Sequence, residues 1–70
     1  MEPLRFSNER KLRKQMRKRH WTESEIREAL ETKPLEIIAK RGPALRYLHP
    51  TSGKSVIVDI ATGEIFHLGK

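Results

Sequence analysis

Apolar positions keep helical spacing through about residue 30 and strand spacing from residue 35 onward. Leu12 and Met16 stand one turn apart, and Ser7 or Asn8 is placed to cap a helix that runs to about residue 19. Thr22 and Glu25 then have the spacing of a capping box. In that motif the hydroxyl accepts the Glu25 amide and the carboxylate accepts the Thr22 amide, so a second helix is predicted to start there. Trp21 just before the cap and Ile26 at the fourth helical position are the two members of a hydrophobic staple. Ile26, Ala29 and Leu30 carry the apolar stripe on, and Thr32, Lys33 and Pro34 end it.

From Leu35 the period falls to two. Four short runs, at 35–40, 44–49, 55–60 and 64–68, are separated by breaks at 42–43, 50–53 and 61–63 that each contain glycine. Val56, Val58 and Ile60 share one face of the third run, while Leu45, Tyr47 and His49 alternate with Arg46 and Leu48 in the second. Such runs joined by short breaks predict antiparallel hairpins. The expected architecture is α+β, with two N-terminal helices packed on one face of a four-stranded antiparallel meander. The opposite face is then a candidate binding surface. Seventy residues make a single domain, 1–70, with residues 1–10 as a flexible lead-in to the first helix.

Charge changes this picture because of where it lies. The formal net charge is +6, and residues 1–19 alone hold eight Lys and Arg against Glu2 and Glu9, while the remainder is balanced. A neutral body carrying a cationic helix suits a polyanion: nucleic acid first, an acidic protein second, an anionic membrane third. The plainer reading is a solvated face that keeps a small protein in solution. There is no cysteine, which excludes disulfides and Cys-based zinc sites. His20, His49 and His67 lack metal-ligand spacing, so no metal and no cofactor is expected. No apolar run approaches the roughly 18 to 20 residues of a membrane span, and no signal-peptide segment is present. The expected site of action is the cytoplasm.

With about 100° per residue, Lys11, Gln15 and Arg19 form a stripe adjacent to Leu12 and Met16, at the rim of the core. That stripe reads either as an anion-binding groove or as ordinary helix-surface charge. Arg13, Lys14 and Lys18 on the same helix, and Lys40 and Arg41 beside Gly42, are candidate RNA contacts or solvated side chains. Tyr47 and Phe66 are candidate platforms for RNA bases, although strand aromatics more often pack inward, and Trp21 is already explained by the staple. None of the histidines sits in a recognisable triad. No phosphate-binding glycine loop, paired-carboxylate site or nucleophile elbow occurs.

The run Lys11-Leu12-Arg13-Lys14-Gln15-Met16, followed by Arg19-His20-Trp21-Thr22-Glu23, resembles the K-[IL]-R-x-Q-M-x-x-R-G-W-T-E signature of the tRNA-cleaving nuclease domain of colicin E-five and related contact-dependent toxins. Gly42-Pro43-Ala44 with Tyr47, Gly53-Lys54-Ser55-Val56-Ile57-Val58 and Thr62-Gly63-Glu64-Ile65 are similar to that family's later hairpins, in the same order. The resemblance implies a metal-independent ribonuclease of the barnase and RelE-like group that cuts tRNA in the anticodon loop without a catalytic histidine. It places the functional Lys, Gln and Arg on Lys11, Gln15 and Arg19. RNA brings its own nucleophile, the 2′-hydroxyl, so such an enzyme removes that proton, stabilises the phosphorane and protonates the leaving 5′-oxygen. Lys11 would accept the proton, Arg19 would stabilise the transition state or share in proton transfer, and Gln15 would orient the phosphate or sugar. The chain departs from the pattern at His20, where the family has glycine, and at Leu45, where it has threonine. It also has a shorter loop before Pro43, where the family carries a further functional lysine and Lys40 or Arg41 stands nearest.

The expectation is therefore a small basic toxin-like endoribonuclease that leaves 2′,3′-cyclic phosphate ends. RNA, in the first place tRNA, is its substrate, and an acidic immunity or antitoxin protein is its inhibitor. The alternatives are a non-catalytic RNA-binding or ribosome-associated module and a basic protein-interaction domain.

Overall fold

The computed structural model describes residues 4–40 and 42–69. Helices α1 (Glu9–Lys18) and α2 (Glu23–Leu30) precede strands β1 (Leu35–Ala39), β2 (Gly42–Leu48), β3 (Ser55–Asp59) and β4 (Ile65–Leu68). The strands form one antiparallel sheet in the order β1-β2-β3-β4. This is the α+β arrangement the hydrophobic pattern predicts.

Local chemistry sets the helix limits. Asn8 caps α1, its side-chain oxygen accepting the Lys11 amide at 3.1 Å. At the other end His20 adopts a positive φ of 57°, and the Trp21 amide turns back to the Met16 carbonyl at 2.8 Å, the closure of a Schellman motif. A glycine suits that position, which accounts physically for the glycine in the pattern this segment resembles. The Thr22–Glu25 capping box forms in both directions, at 3.2 and 3.3 Å. Trp21 and Ile26 on either side of it are buried in one core cluster with Leu12, Ala29, Val56, Ile65 and Leu68.

Cross-strand register separates the two faces of the sheet. Tyr47, Val56 and Leu68 form one row across β2, β3 and β4, and Leu45, Val58 and Ile65 form the next. These rows face the helices. Leu35, Arg46, Ile57 and His67 form a row on the opposite, helix-free face. A register shift between Ile57 and Val58 leaves Phe66 outside the regular pairing.

The two later hairpins share one turn design. In each, a four-residue loop ends in a glycine of positive φ, Gly53 at 74° and Gly63 at 73°. The loop amides are capped by the residue that opens it. Asp59 accepts the Ala61 amide at 2.9 Å, and His49 accepts the Ser52 amide through Nδ1 at 3.2 Å. Since Nδ1 is the acceptor, the ring proton sits on Nε2, where it donates to Glu28 at 3.1 Å and ties the turn to α2.

The lead-in expected to be flexible is held down at Arg5–Ser7. The Ile65 amide donates to the Arg5 carbonyl at 2.8 Å and the Ser7 amide to the Ile65 carbonyl at 2.9 Å, a short parallel bridge on the outer edge of β4. Leu4 and Phe6 pack on the core from there.

Candidate nucleic-acid interface

Strand β4 is the last of the sheet, and its outer edge would be a row of open backbone groups. Arg5 and Ser7 occupy the Ile65 end of that edge. Side chains from α1 occupy the other end: Gln15 Oε1 accepts the Leu68 amide at 3.1 Å, and the Arg19 guanidinium donates to the Leu68 carbonyl. The helix is thereby held along the sheet edge with one stripe turned inward and the neighbouring stripe outward.

Lys11, Gln15 and Arg19 do lie on one stripe, and with Lys14, Arg17 and Lys18 they line an open groove of about 670 Å³. Lys11 also borders a smaller cleft of about 270 Å³ shared with Ser7, Asn8 and Phe66. Arg13 pairs with Glu9 at 2.9 Å one turn back. Among the described residues the other cations of α1 have no carboxylate partner, so their charge is directed to solvent or a ligand.

The junction of the helices is fixed from the sheet side. Lys54, at the end of the β2–β3 turn, donates to the His20 carbonyl at 2.8 Å, pairs with Glu25 at 3.2 Å and sits 4.8 Å from the centre of the Trp21 ring. Its ammonium satisfies carbonyls left open at the C-terminal end of α1 and holds the Glu25 carboxyl below its usual range. Trp21 in turn donates to the Gly69 carbonyl at 2.7 Å, so the Trp is core and not a stacking platform.

Searches of protein-family models, curated proteins and solved structures found no match to the chain. The likeness to the colicin E-five ribonucleases stands on the residues quoted for it.

The other sequence-predicted contacts separate. Tyr47 is half-buried on the helix-covered face, against the core and beside Leu30 and Arg27 of α2. Lys40 is exposed in the β1–β2 turn, on the far side of the sheet from α1. Arg41 lies outside the described residues. His67, weighed in the sequence with His20 and His49 and set aside for want of a triad, is half-buried on β4, next to the Leu68 backbone that Gln15 and Arg19 grip. Partial burial, then the charges of Arg19 and Lys11, hold its imidazole below the ordinary histidine range. Nothing in strand periodicity signals this, because the proximity depends on which strand α1 lies against.

Proposed function

We propose that this chain binds RNA along α1 and cleaves it by metal-independent transesterification, with a tRNA anticodon loop as the substrate suggested by the resemblance. The observation that carries the reading is the groove that gathers Lys11, Gln15 and Arg19 with Lys14 and Lys18, free of carboxylate partners among the described residues. Lysines spaced along such a groove follow a phosphate backbone. At the scissile phosphate, Lys11 and the Arg19 donors not bound to Leu68 would stabilise the charge of the phosphorane. The Gln15 amide nitrogen keeps both its hydrogens for a phosphate oxygen, since its oxygen is the atom that meets Leu68.

One observation favours a second reading, an RNA-binding module without chemistry. Gln15 and Arg19 each have a structural task on the Leu68 backbone, which by itself explains both residue types. Incubation of the protein with total tRNA in EDTA decides between the two. Cleavage that leaves cyclic phosphate ends and falls at least about a hundredfold in Lys11→Ala supports the nuclease. Salt-sensitive binding with intact tRNA supports the module. An acidic protein that competes with RNA for the same groove is the inhibitor the charge favours in either case.

A further inference from the structure

The two edges of the sheet are finished differently. The outer edge of β4 is covered by Arg5 and Ser7 and by the side chains of Gln15 and Arg19. Strand β1 pairs only with β2 among the described residues, and neither helix packs on it. Its residues, Leu35-Glu36-Ile37-Ile38-Ala39, include no proline, lysine or bulge, the usual devices that keep a strand edge from pairing with another chain. The open backbone groups can be assigned. Ile38 lies opposite Pro43, which has no N–H and turns its carbonyl to the Ile60 amide, so this pair exchanges no hydrogen bonds. The N–H and C=O of Ile38 therefore point away from the sheet, and those of Glu36, two residues earlier, do the same. The Ile38 side chain is 80% exposed and stands beside Pro43 and Ile60, an apolar ledge that the helices leave uncovered.

We propose that β1 is a self-association edge: it pairs with β1 of a second copy of this chain, antiparallel about a two-fold axis at Ile38. The outward groups fall on even-numbered residues, so a symmetric pairing can be centred on Glu36, Ile37 or Ile38. Centring on Glu36 sets two carboxylates against each other. Centring on Ile37 sets Glu36 against the partner's Ile38 and leaves Lys40 beside Pro34, with no charge matched. Centring on Ile38 brings the two Ile38 side chains together on the axis and sets each Glu36 against the partner's Lys40. Glu36 and Lys40 are both exposed, and neither has an ion pair among the described residues. The edge is thus complementary to itself in one register. Net charge does not oppose the pairing, because the +6 of each chain is concentrated in residues 1–19 and α1 lies at the opposite edge. In the eight-stranded sheet of the dimer, the two outer β4 strands stand seven strand spacings apart. That is roughly 33 Å, about four Debye lengths at physiological salt. Both α1 grooves stay open at its ends, so the inference does not depend on what they bind.

Sedimentation equilibrium from about 10 µM to about 1 mM protein tests the assignment, since so short an interface belongs to the weak, transient class. The variants are Ile38→Lys, Glu36→Lys, Lys40→Glu and the double exchange of Glu36→Lys with Lys40→Glu. All three side chains are exposed, so each variant keeps the monomer fold, which circular dichroism checks. The wild type should pass from a mass of 8.2 kDa to twice that value as concentration rises. The Glu36 and Ile38 amides should gain protection from hydrogen exchange over the same range. Ile38→Lys and each single charge change should weaken the dimer about tenfold or more, and the double exchange should restore it to within about threefold. A wild type that stays at 8.2 kDa throughout overturns the inference and leaves the β1 edge to a strand of a different protein. A dimer indifferent to Ile38→Lys, or a double exchange no tighter than its single variants, overturns the pairing of β1 with itself. Assembly that continues beyond the dimer overturns it too, because a two-fold pairing of the last open edge closes on itself.

Discussion

The side-chain oxygen of Gln15 accepts the Leu68 amide at 3.1 Å, joining α1 to β4 across 53 residues of chain. One turn later Arg19 meets the carbonyl of the same residue. Two side chains thus do for the end of β4 what a neighbouring strand would do, and they set the helix so that its cations open outward. The residues proposed to act on RNA are also the ones that dock the helix.

This double duty can be separated by substitution. Gln15→Glu keeps an oxygen for the Leu68 amide but replaces the two amide hydrogens with a second acceptor. Gln15→Ala leaves the amide without its partner. Urea unfolding should show a loss of about 1–2 kcal/mol for Gln15→Ala and a smaller one for Gln15→Glu. Cleavage or binding of tRNA should fall in both. Equal destabilisation by the two would show that the bond to Leu68 does not hold the helix.

His20 occupies a left-handed backbone position that costs an L-residue roughly 1–2 kcal/mol. Its side chain is exposed and makes no contact on which the fold depends. His20→Gly should therefore stabilise the protein by about 1 kcal/mol after the greater entropy of an unfolded glycine is allowed for. Differential scanning calorimetry should find Tm raised by about 4–8 °C, the usual scale for a domain of this length. A lowered Tm would mean that the imidazole makes a contribution of its own.

Much of this fold was legible in the residues because its signals are local. The Thr22–Glu25 box, the Trp21–Ile26 staple and the glycines closing the two later turns need only near neighbours, and each forms as its sequence predicts. The α1 stripe was legible too, since helical geometry alone puts Lys11, Gln15 and Arg19 in line. What lay out of reach depends on long-range packing. The side of the sheet along which α1 lies decides that Gln15 and Arg19 meet Leu68, that the charges of Arg19 and Lys11 are felt at His67, and that Lys40 lies apart from them. The docking of Arg5–Ser7 on β4 escapes for the same reason: three residues carry too little periodicity to read as a strand.

Lys54 and Glu25 give the fold a calculable response to acid. The hydrogen bond from Lys54 is the main cause that lowers the Glu25 pKa in the folded state, with the Lys54 charge and Thr22 adding to it. A carboxyl whose folded pKa is depressed contributes stability that is fully present above its unfolded value and is lost as pH falls through the folded one. Stability should thus decline below about pH 4.5, in the range where unfolded glutamates titrate. In Lys54→Met that decline should be shallower, from a lower starting stability, because the His20 carbonyl also loses its donor. Unfolding in urea at a series of pH values from 2 to 7 measures both slopes. Parallel slopes would show that the pair is not what makes the protein acid-sensitive.

The position of each lysine relative to α1 predicts how RNA binding should respond to salt. Each phosphate contact releases counterions, and removing one lowers the slope of log affinity against log salt by about 0.7 to 0.9. Lys14 and Lys18 line the groove beside Lys11, so Lys14→Ala and Lys18→Ala should each reduce the slope by about that amount. Lys40 lies in the β1–β2 turn, three strand spacings or roughly 14 Å from the edge where α1 sits. A single-stranded segment seated on α1 alone does not reach it, and Lys40→Ala should leave the slope unchanged. Arg13 gives an internal control on the helix itself, because its guanidinium is engaged by Glu9 and Arg13→Ala should change the slope less than Lys14→Ala. Fluorescence anisotropy with a labelled anticodon-loop RNA at 50 to 300 mM salt measures all four. An equal effect from Lys40 would mean that the RNA crosses the sheet, and the helix-free row of Leu35, Arg46, Ile57 and His67 would then be part of its path.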